Sequence, residues 1–479
     1  MKRSIYKKVV LLLLIVAPLF GCTSSASFDY TTAAGIYDLE TATLDDFDIT
    51  DEYSLYQITL REDKTMNVFI SQLGQITNRD STYVIEETVL TETHNTEIFV
   101  YEYNAIDTTL TYTIDEYGQT LEITLLKRIE NSEPLPVDFE DVLFGEDIDE
   151  TKKFNYAPTI IRDTEGGQDV IHIWYCTNRK SAVIMDHIAY RKGVKNDDGK
   201  WLFSEETIVI APTANTWDSR HACDPSVIKG TFAWDQEVYN YMMAYLGCET
   251  DDYSNNETGL AVAKDPEGPW IKLDHLNPIV PWSRDNPSGT WGTGMPSLLS
   301  VDKQGTVLLY YMNSAVGVGV EKWNFSDLGE PTQIYRSRLI NNGLFRPTGG
   351  ATYISYVEMA YDEELDRLYV LSGGGIKDPP DGTRTLVNSH MMLAYIPNLT
   401  SMDEVDNAML SMNYTWTVAG YAGPEETDWP RNHNSGIVTD PFGRIIDSNE
   451  IWVVTSTGLN TYPFDNIYTY RLKGYIFDL

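Results

Sequence analysis

The sequence predicts an all-β chain: a small antiparallel β-domain followed by a five-bladed β-propeller. Three observations carry this. Apolar residues alternate or run in short β-branched and aromatic groups rather than at helical spacing. Clusters of Gly, Pro, Asn and Asp separate these runs at short intervals. From Asn155 onward, paired strand patterns recur five times.

The first residues stand outside the fold. Lys2, Arg3, Lys7 and Lys8 precede the apolar run Val9 to Ala17, the pattern of an export signal and rather short for a membrane span. Leu19-Phe20-Gly21-Cys22 resembles a bacterial lipobox. That resemblance implies that residues 1–22 are a lipoprotein signal peptide, that Cys22 carries the lipid, and that Thr23 to Ser27 form a tether. The expected product is an exported bacterial lipoprotein, membrane-anchored on the extracytoplasmic side.

Residues 28–130 read as a meander: "YSLYQITLREDKTMNVFI", "STYVIEETVL" and "TLTYTIDEYGQTLEITLLKRIE". Leu110, Tyr112 and Ile114 face one way, Asp115 to Gly118 turn the chain, and Leu121, Ile123 and Leu125 return. "AGIYDLE" at the start and "LEITLLKR" at the end resemble the lipocalin-like domains of bacterial lipoproteins, which implies a spacer or binding module. Residues 131–150, with two prolines and a dense acidic run, have the composition of a linker.

The propeller expectation covers residues 151–479. "NYAPTII" precedes "DVIHIWYC", "ACDPSVI" precedes "VYNYMMAYLG", and "GTGMPSLLSV" precedes "TVLLYYM"; "SYVEMAY" then precedes "RLYVLSG", and "HNSGIVTD" precedes "EIWVVTS". Each pair is an opening strand with a proline or polar residue, a turn and an aromatic-rich strand. The starts near 155, 222, 293, 355 and 433 are spaced for four-stranded blades with long loops. A pair of β-sandwiches is the other architecture considered, and it leaves the recurrence unexplained. Residues 401–412, "SMDEVDNAMLSM", are the clearest helical stretch.

Lysine and arginine number 35 against 71 acidic residues, a balance that repels phosphate and argues against nucleic acid. Cys176, Cys223 and Cys248 remain beyond Cys22; two of them can pair, and which two is open. Neither a CxxC nor an HExxH spacing occurs, so zinc has no support in the sequence.

"YAP" at Tyr156 to Pro158, "DPSVI" at Asp224 to Ile228, "GLAVAKDPEGPW" at Gly259 to Trp270 and "HNSGIVTDPFG" at His433 to Gly443 resemble the five-bladed glycosidases that include glycoside hydrolase family 43. The resemblance implies a surface-anchored glycoside hydrolase-like monomer acting on an extracellular oligosaccharide or polysaccharide by carboxylate acid/base catalysis. It assigns Asp224 and Glu358 as the catalytic carboxylates and puts His433 near the channel centre, supporting them or holding a calcium ion. Around them, Asp218, His221, Trp217, Trp291, Trp429 and Asn434 are expected as supporting or sugar-binding groups, with Trp282 in a further loop. No cofactor beyond a possible structural calcium is implied. Thr159 stands where the related first unit commonly carries aspartate, and the third unit has Met295 and no carboxyl. Those departures support a second expectation, a carbohydrate-binding propeller without hydrolysis. A Cys223–His221 nucleophilic pair is conceivable, but same-strand neighbours rarely set a base against a thiol.

Overall fold

In the computed structural model the described residues are 33, 35–44, 47–48, 53–61, 64–72, 75–86, 88–95, 97–104, 109–116, 119–127, 136–145, 148–251, 253–374, 388–459 and 464–479. The expected signal peptide, Cys22 and its tether lie outside them.

The first unit is one antiparallel meander closed on itself. Strands Gly35–Leu44, Tyr53–Leu60, Thr65–Gln72, Gln75–Glu86, Val89–His94, Glu97–Asn104, Thr109–Glu116 and Gln119–Lys127 pair in chain order, and the last returns to the first through Leu39↔Leu125 and its neighbours. Closure removes the unpaired edges that an open sheet would expose. Alternation sends Tyr37, Ile58, Val68, Leu90, Tyr101 and Leu125 inward, where they are buried. Leu110 and Ile123 join them as the sequence pattern requires, and Glu116 pairs with Gln119 across the expected turn. One charge is buried among these side chains: Glu92 accepts from Arg79 at 2.6 Å, Ser81 at 2.7 Å and Tyr101 at 2.7 Å. Three donors satisfy its oxygens, so the interior is a packed, hydrogen-bonded core.

The remaining chain forms three four-stranded sheets, which open on the second, third and fourth repeated units, and one nine-stranded sheet that joins the first and last units. Their innermost strands are Asn155–Glu165, His221–Trp234, Thr293–Ser300, Glu358–Asp362 and Arg431–Thr439. Each contacts the next, and the last lies parallel to the first through Ile160↔Val438 and Ile161↔Thr439, so the inner strands close a ring. An apolar core fills each interface between neighbouring sheets; Leu299, Leu308, Met359 and Leu368 belong to one, and Ala360, Leu371, Ile437 and Val453 to the next. This is a β-propeller arrangement, with aromatic and β-branched side chains as the wedge between sheets.

Two local features shape the channel. Val142–Phe144, within the stretch expected as a linker, is a strand that pairs with the C-terminal strand Arg471–Asp478. The closing sheet therefore takes strands from both ends of the chain. The turn Asp440-Pro441-Phe442-Gly443 caps one end of the ring: Pro441 O accepts from Lys229 N, Phe442 O from Ser300 N, and Gly443 O from Tyr361 N. Buried Arg444 fixes the cap by donating to Ser300 O and Phe442 O at 2.8 and 3.0 Å and to Glu363 at 2.8 Å. The expected helix forms at Met402–Ser411, N-capped by Ser401 and buried on Val405, Ala408 and Met409.

Candidate active site

Four of the five inner strands share a distortion that aims side chains into the channel. Ala157, Asp224, Met295 and Asn434 all have left-handed backbones, with φ of 49°, 46°, 45° and 41°. At each, pairing with the second strand slips: between Tyr156 and Thr159, Cys223 and Ser226, Gly294 and Ser297, and His433 and Gly436. These are bulges, which re-aim a side chain at a cost of about 1–3 kcal/mol for non-glycine residues in this region. The residues after the bulge tie the ring together, because Leu298 N donates to Ser226 Oγ at 2.8 Å and Met359 N to Ser297 Oγ at 2.9 Å.

This equivalence corrects one expectation. Ala157, and not Thr159, occupies in the first sheet the place that Asp224 holds in the second. Ala157, Asp224, Met295, Glu358 and Asn434 line one cavity of ≈ 30 Å³, together with Tyr356 and the residues following each bulge. That volume admits a water or an ion and is far below a sugar-ring site. Two carboxyls, an amide, a methyl and a thioether thus meet at the ring centre.

Both carboxyls are held toward the neutral form. Burial, reinforced by the negative charge of Asp186, pushes Asp224 up to about 7; a hydrogen bond from Met295 N and the Asn434 amide at 3.4 Å oppose it. Burial likewise pushes Glu358 up to about 8, against a hydrogen bond from Ser297. Burial dominates because, among the described residues, no cation lines the cavity to offset the desolvated charge.

The polar run "RNHNS" that begins the closing inner strand is explained by this geometry. Asn432 donates to Ser389 O at 2.9 Å, Ser435 Oγ to Thr455 Oγ1 at 2.8 Å, and Tyr356 OH to Ser435 Oγ at 3.2 Å. These pairings hold Asn432, Ser435 and Tyr356 in place beside the cavity.

Several expected site residues lie elsewhere. His433 packs edge-on against Tyr356, ring centres 5.9 Å apart, and is not among the cavity-lining residues; its neighbour Asn434 takes that role. Asp218 is buried away from the cavity, bound by Lys272 at 2.5 Å, Thr216 at 2.6 Å and Tyr245 at 3.1 Å. Trp217 covers Gly247 and Gly259, where any Cβ would strike its ring, and stacks near Tyr245. Both are structural, since the missing side chains of those glycines make the room for the indole. Trp282 opens a short 3-10 turn and donates its backbone N–H to Glu257. Trp429 lies under the Arg471 guanidinium, 5.2 Å from its ring. Trp291 does sit beside the site, against Tyr156, Ala157, Leu246 and the cysteines.

The cysteines settle into a Cys176–Cys223 disulfide and a buried free Cys248. The disulfide ties the second strand of one sheet to the bulge of the next, and Asp224 N donates to Cys176 Sγ at 2.9 Å. It also rules out Cys223 as a nucleophile. His221 turns to Asp186 instead, with Nδ1 2.9 Å from Oδ2. Asp186 and Tyr156 are the groups beside the site that sequence reasoning missed; nothing in "IMDHIAY" distinguishes Asp186 from an ordinary strand-start aspartate.

The sulfurs beside Asp224 are bonded to each other and so offer no thiolate to a metal. Oxygen donors fit a hard cation better: Asp224, Glu358 and Asn434, whose buried Oδ1 has no hydrogen-bond partner among the described residues, face the cavity. A calcium ion there would be held by these residues and not by His433, and it would supply positive charge favouring the ionised carboxylates.

No protein-family description and no curated protein matches the chain. Among solved structures it is similar to Zg3597, a family 117 glycoside hydrolase from the marine bacterium Zobellia galactanivorans, at 14% identity over 72% of this chain and 88% of that one, TM-score 0.42. An endo-arabinase from Bacteroides thetaiotaomicron VPI-5482 is similar at 12% identity over 73% and 98%, TM-score 0.39. The α-L-arabinofuranosidase PaAbf62A from Podospora anserina, in complex with cellotriose, is similar at 10% identity over 72% and 96%, TM-score 0.40. Each of these three TM-scores lies below 0.5, so the likeness is loose.

Proposed function

We propose that this chain is a glycoside hydrolase-like protein, exported and lipid-tethered through Cys22, acting on an extracellular oligosaccharide or polysaccharide. In this reading residues 151–479 with the closing strand Val142–Phe144 are a five-bladed propeller, the preceding barrel is a lipocalin-like spacer, and the protein is a monomer.

A single observation carries the reading: two carboxyls from different sheets, Asp224 and Glu358, face one cavity and are both raised, to about 7 and about 8. Between those values Asp224 is largely ionised while Glu358 still holds its proton. That is the division of labour glycoside hydrolysis needs. Glu358 gives its proton to the glycosidic oxygen as the bond to the sugar breaks. Asp224 takes a proton from the attacking water, and the anomeric carbon gains the hydroxyl. The cavity has room for a water and not for a sugar, so the ring would lie outside it, with Trp291, packed against the same cluster as Ala157, as the aromatic face for it.

Ala157, Met295 and Asn434 favour a second reading, a binding propeller without turnover, because three of the four bulge positions carry no ionisable group. Product release from a glycan panel separates the two: a hydrolase liberates new reducing ends, whereas a binder retains the glycan intact.

A further inference from the structure

At the end of the ring away from the cavity, the first hairpin of the fourth unit meets the loop that follows the inner strand of the last unit. Glu358–Asp362 and Arg367–Gly373 pair with Asp362 opposite Arg367, so Glu363 to Asp366 form the turn. Asp362 lies four residues after Glu358, about 13 Å further along the strand, which separates this end from the cavity. The facing loop runs alongside: Tyr361 N donates to Gly443 O and Ile445 N to Tyr361 O, both at 3.0 Å. Three residues later the loop sets Ser448 against the turn. Asp362 and Ser448 are buried there, at 1% and 6% exposure, while Glu364 is exposed. Asp362 Oδ1 accepts from Glu364 N at 2.9 Å, Leu365 N at 3.0 Å and Ser448 Oγ at 2.8 Å. Ser448 Oγ is also 3.3 Å from Glu364 Oε2. A serine hydroxyl has one proton and the shorter contact takes it, so Glu364 Oε2 faces a lone pair of Ser448. Asp362 Oδ2, on the same carbon as Oδ1, is buried and has no hydrogen-bond partner among the described residues.

The neighbouring cations are committed elsewhere. Arg444 donates to Glu363 at 2.8 Å, and Lys303 lies 3.2 Å from the same carboxylate. Arg367 feels the Asp362 charge, but it donates to Tyr369 OH at 3.1 Å and its guanidinium lies over the Tyr395 ring at 4.3 Å. Among the described residues neither Asp362 nor Glu364 forms an ion pair. Asp366 and Asp447, next in the turn and the loop, add negative charge. Buried charges are kept where they are paired or coordinate a metal, and Asp362 has no pair.

We infer that Asp362, Glu364 and Ser448 hold a calcium ion that clamps the hairpin of the fourth unit to the loop of the last. All three donors are hard oxygens, and calcium takes six to eight of these in flexible geometry, so water completes the shell on the exposed Glu364 side. Two oxygens about 2.4 Å from one calcium ion and a right angle apart are about 3.4 Å from each other, close to the separation of Ser448 Oγ and Glu364 Oε2. Ser448 gives its proton to Asp362 Oδ1 and its lone pair to the ion. Asp362 Oδ2 gains the positive partner that its burial requires. This ion is distinct from one at the channel centre, since it shares no ligand with the cavity.

The experiment is urea unfolding of the full chain with and without about 10 mM calcium chloride, in about 0.15 M sodium chloride to screen diffuse attraction to the acidic surface. A site with a dissociation constant of about 0.1 mM, within the range of extracellular calcium modules, is then at a hundredfold excess of ligand. The folding equilibrium constant of the wild type should rise about a hundredfold, read as a higher urea midpoint. Glu364→Gln and Asp362→Asn should each reduce that gain by tenfold or more. Asp224→Asn, which changes the cavity and not this end of the ring, should keep it. No gain in the wild type, a gain undiminished in Glu364→Gln, or a gain lost in Asp224→Asn would overturn the inference. Asp362→Asn keeps an oxygen for the two turn N–H groups; should it still not fold, Glu364→Gln, on an exposed side chain, decides alone. Failure of the hydrolase reading would appear in glycan release and leave this measurement untouched.

Discussion

The Asn434 side-chain amide donates to Asp224 Oδ1 at 3.4 Å, joining bulge residues 210 positions apart in the chain. Both backbones are left-handed at that point, so two strained strands converge on one contact. The amide favours the ionised carboxylate. Asn434→Ala should therefore raise the Asp224 midpoint above about 7, and any turnover dependent on ionised Asp224 should shift its acid limb to higher pH. A limb that stays put would show that the contact does not act on Asp224.

The raised carboxyls have a stability signature. The folded state keeps protons on Asp224 and Glu358 that the unfolded chain releases near the ordinary carboxylate range, so stability falls as pH rises from about 4 through about 7 and about 8. Asp224→Asn and Glu358→Gln remove that loss. Relative to its own difference from the wild type near pH 4, each should gain roughly 4 kcal/mol by pH 9, because a tenfold change in proton affinity is worth about 1.4 kcal/mol and each carboxyl differs from its unfolded value by about three such steps. Denaturant melts across this range check the sign directly.

The Cys176–Cys223 bond closes a separation of 47 residues and holds the Asp224 bulge from behind. Replacing both cysteines with serine should lower unfolding free energy by roughly 2–4 kcal/mol, read as a reduced urea midpoint. A strong reductant should have the same effect on the wild type and none on the double variant.

Membrane attachment through Cys22 is tested by fractionation. Cys22→Ala should move the protein from the membrane to the soluble fraction, and retention of a normally processed variant would count against the tether.

Much of the fold was legible because its signals are local. Alternation in "TLTYTIDEYGQTLEITLL" specifies two strands with Leu110, Ile123 and Leu125 inward, and that is where they lie. The starts near 155, 222, 293, 355 and 433 fall within three residues of the five inner strands. Asp224 and Glu358, assigned through the resemblance to the five-bladed glycosidases, both line the central cavity. His433 misled because a one-residue bulge reverses which of two neighbours faces the channel, and alternation alone does not reveal a bulge. The recurrent "APT", "DPS" and "MPS" triplets do mark three of these bulges, each with its left-handed residue just before the proline. Asp218 and Trp217 are near Asp224 in sequence, but Asp218 is bound by Lys272 and Trp217 packs in the core shared by the first and second sheets. Asp186 was invisible, since its role depends on a contact with His221 across two sheets.

The most direct measurement is reducing-end release from a panel of plant, algal and bacterial glycans, across about pH 5 to 9, by the wild type, Asp224→Asn and Glu358→Gln. The proposed function predicts turnover of at least one glycan, greatest between about pH 7 and 8, where Asp224 is ionised and Glu358 protonated. Both variants should lose it by a hundredfold or so, as expected for removal of a general acid or base. Binding of a glycan with no release at any pH, or release undiminished in the folded variants, would contradict it.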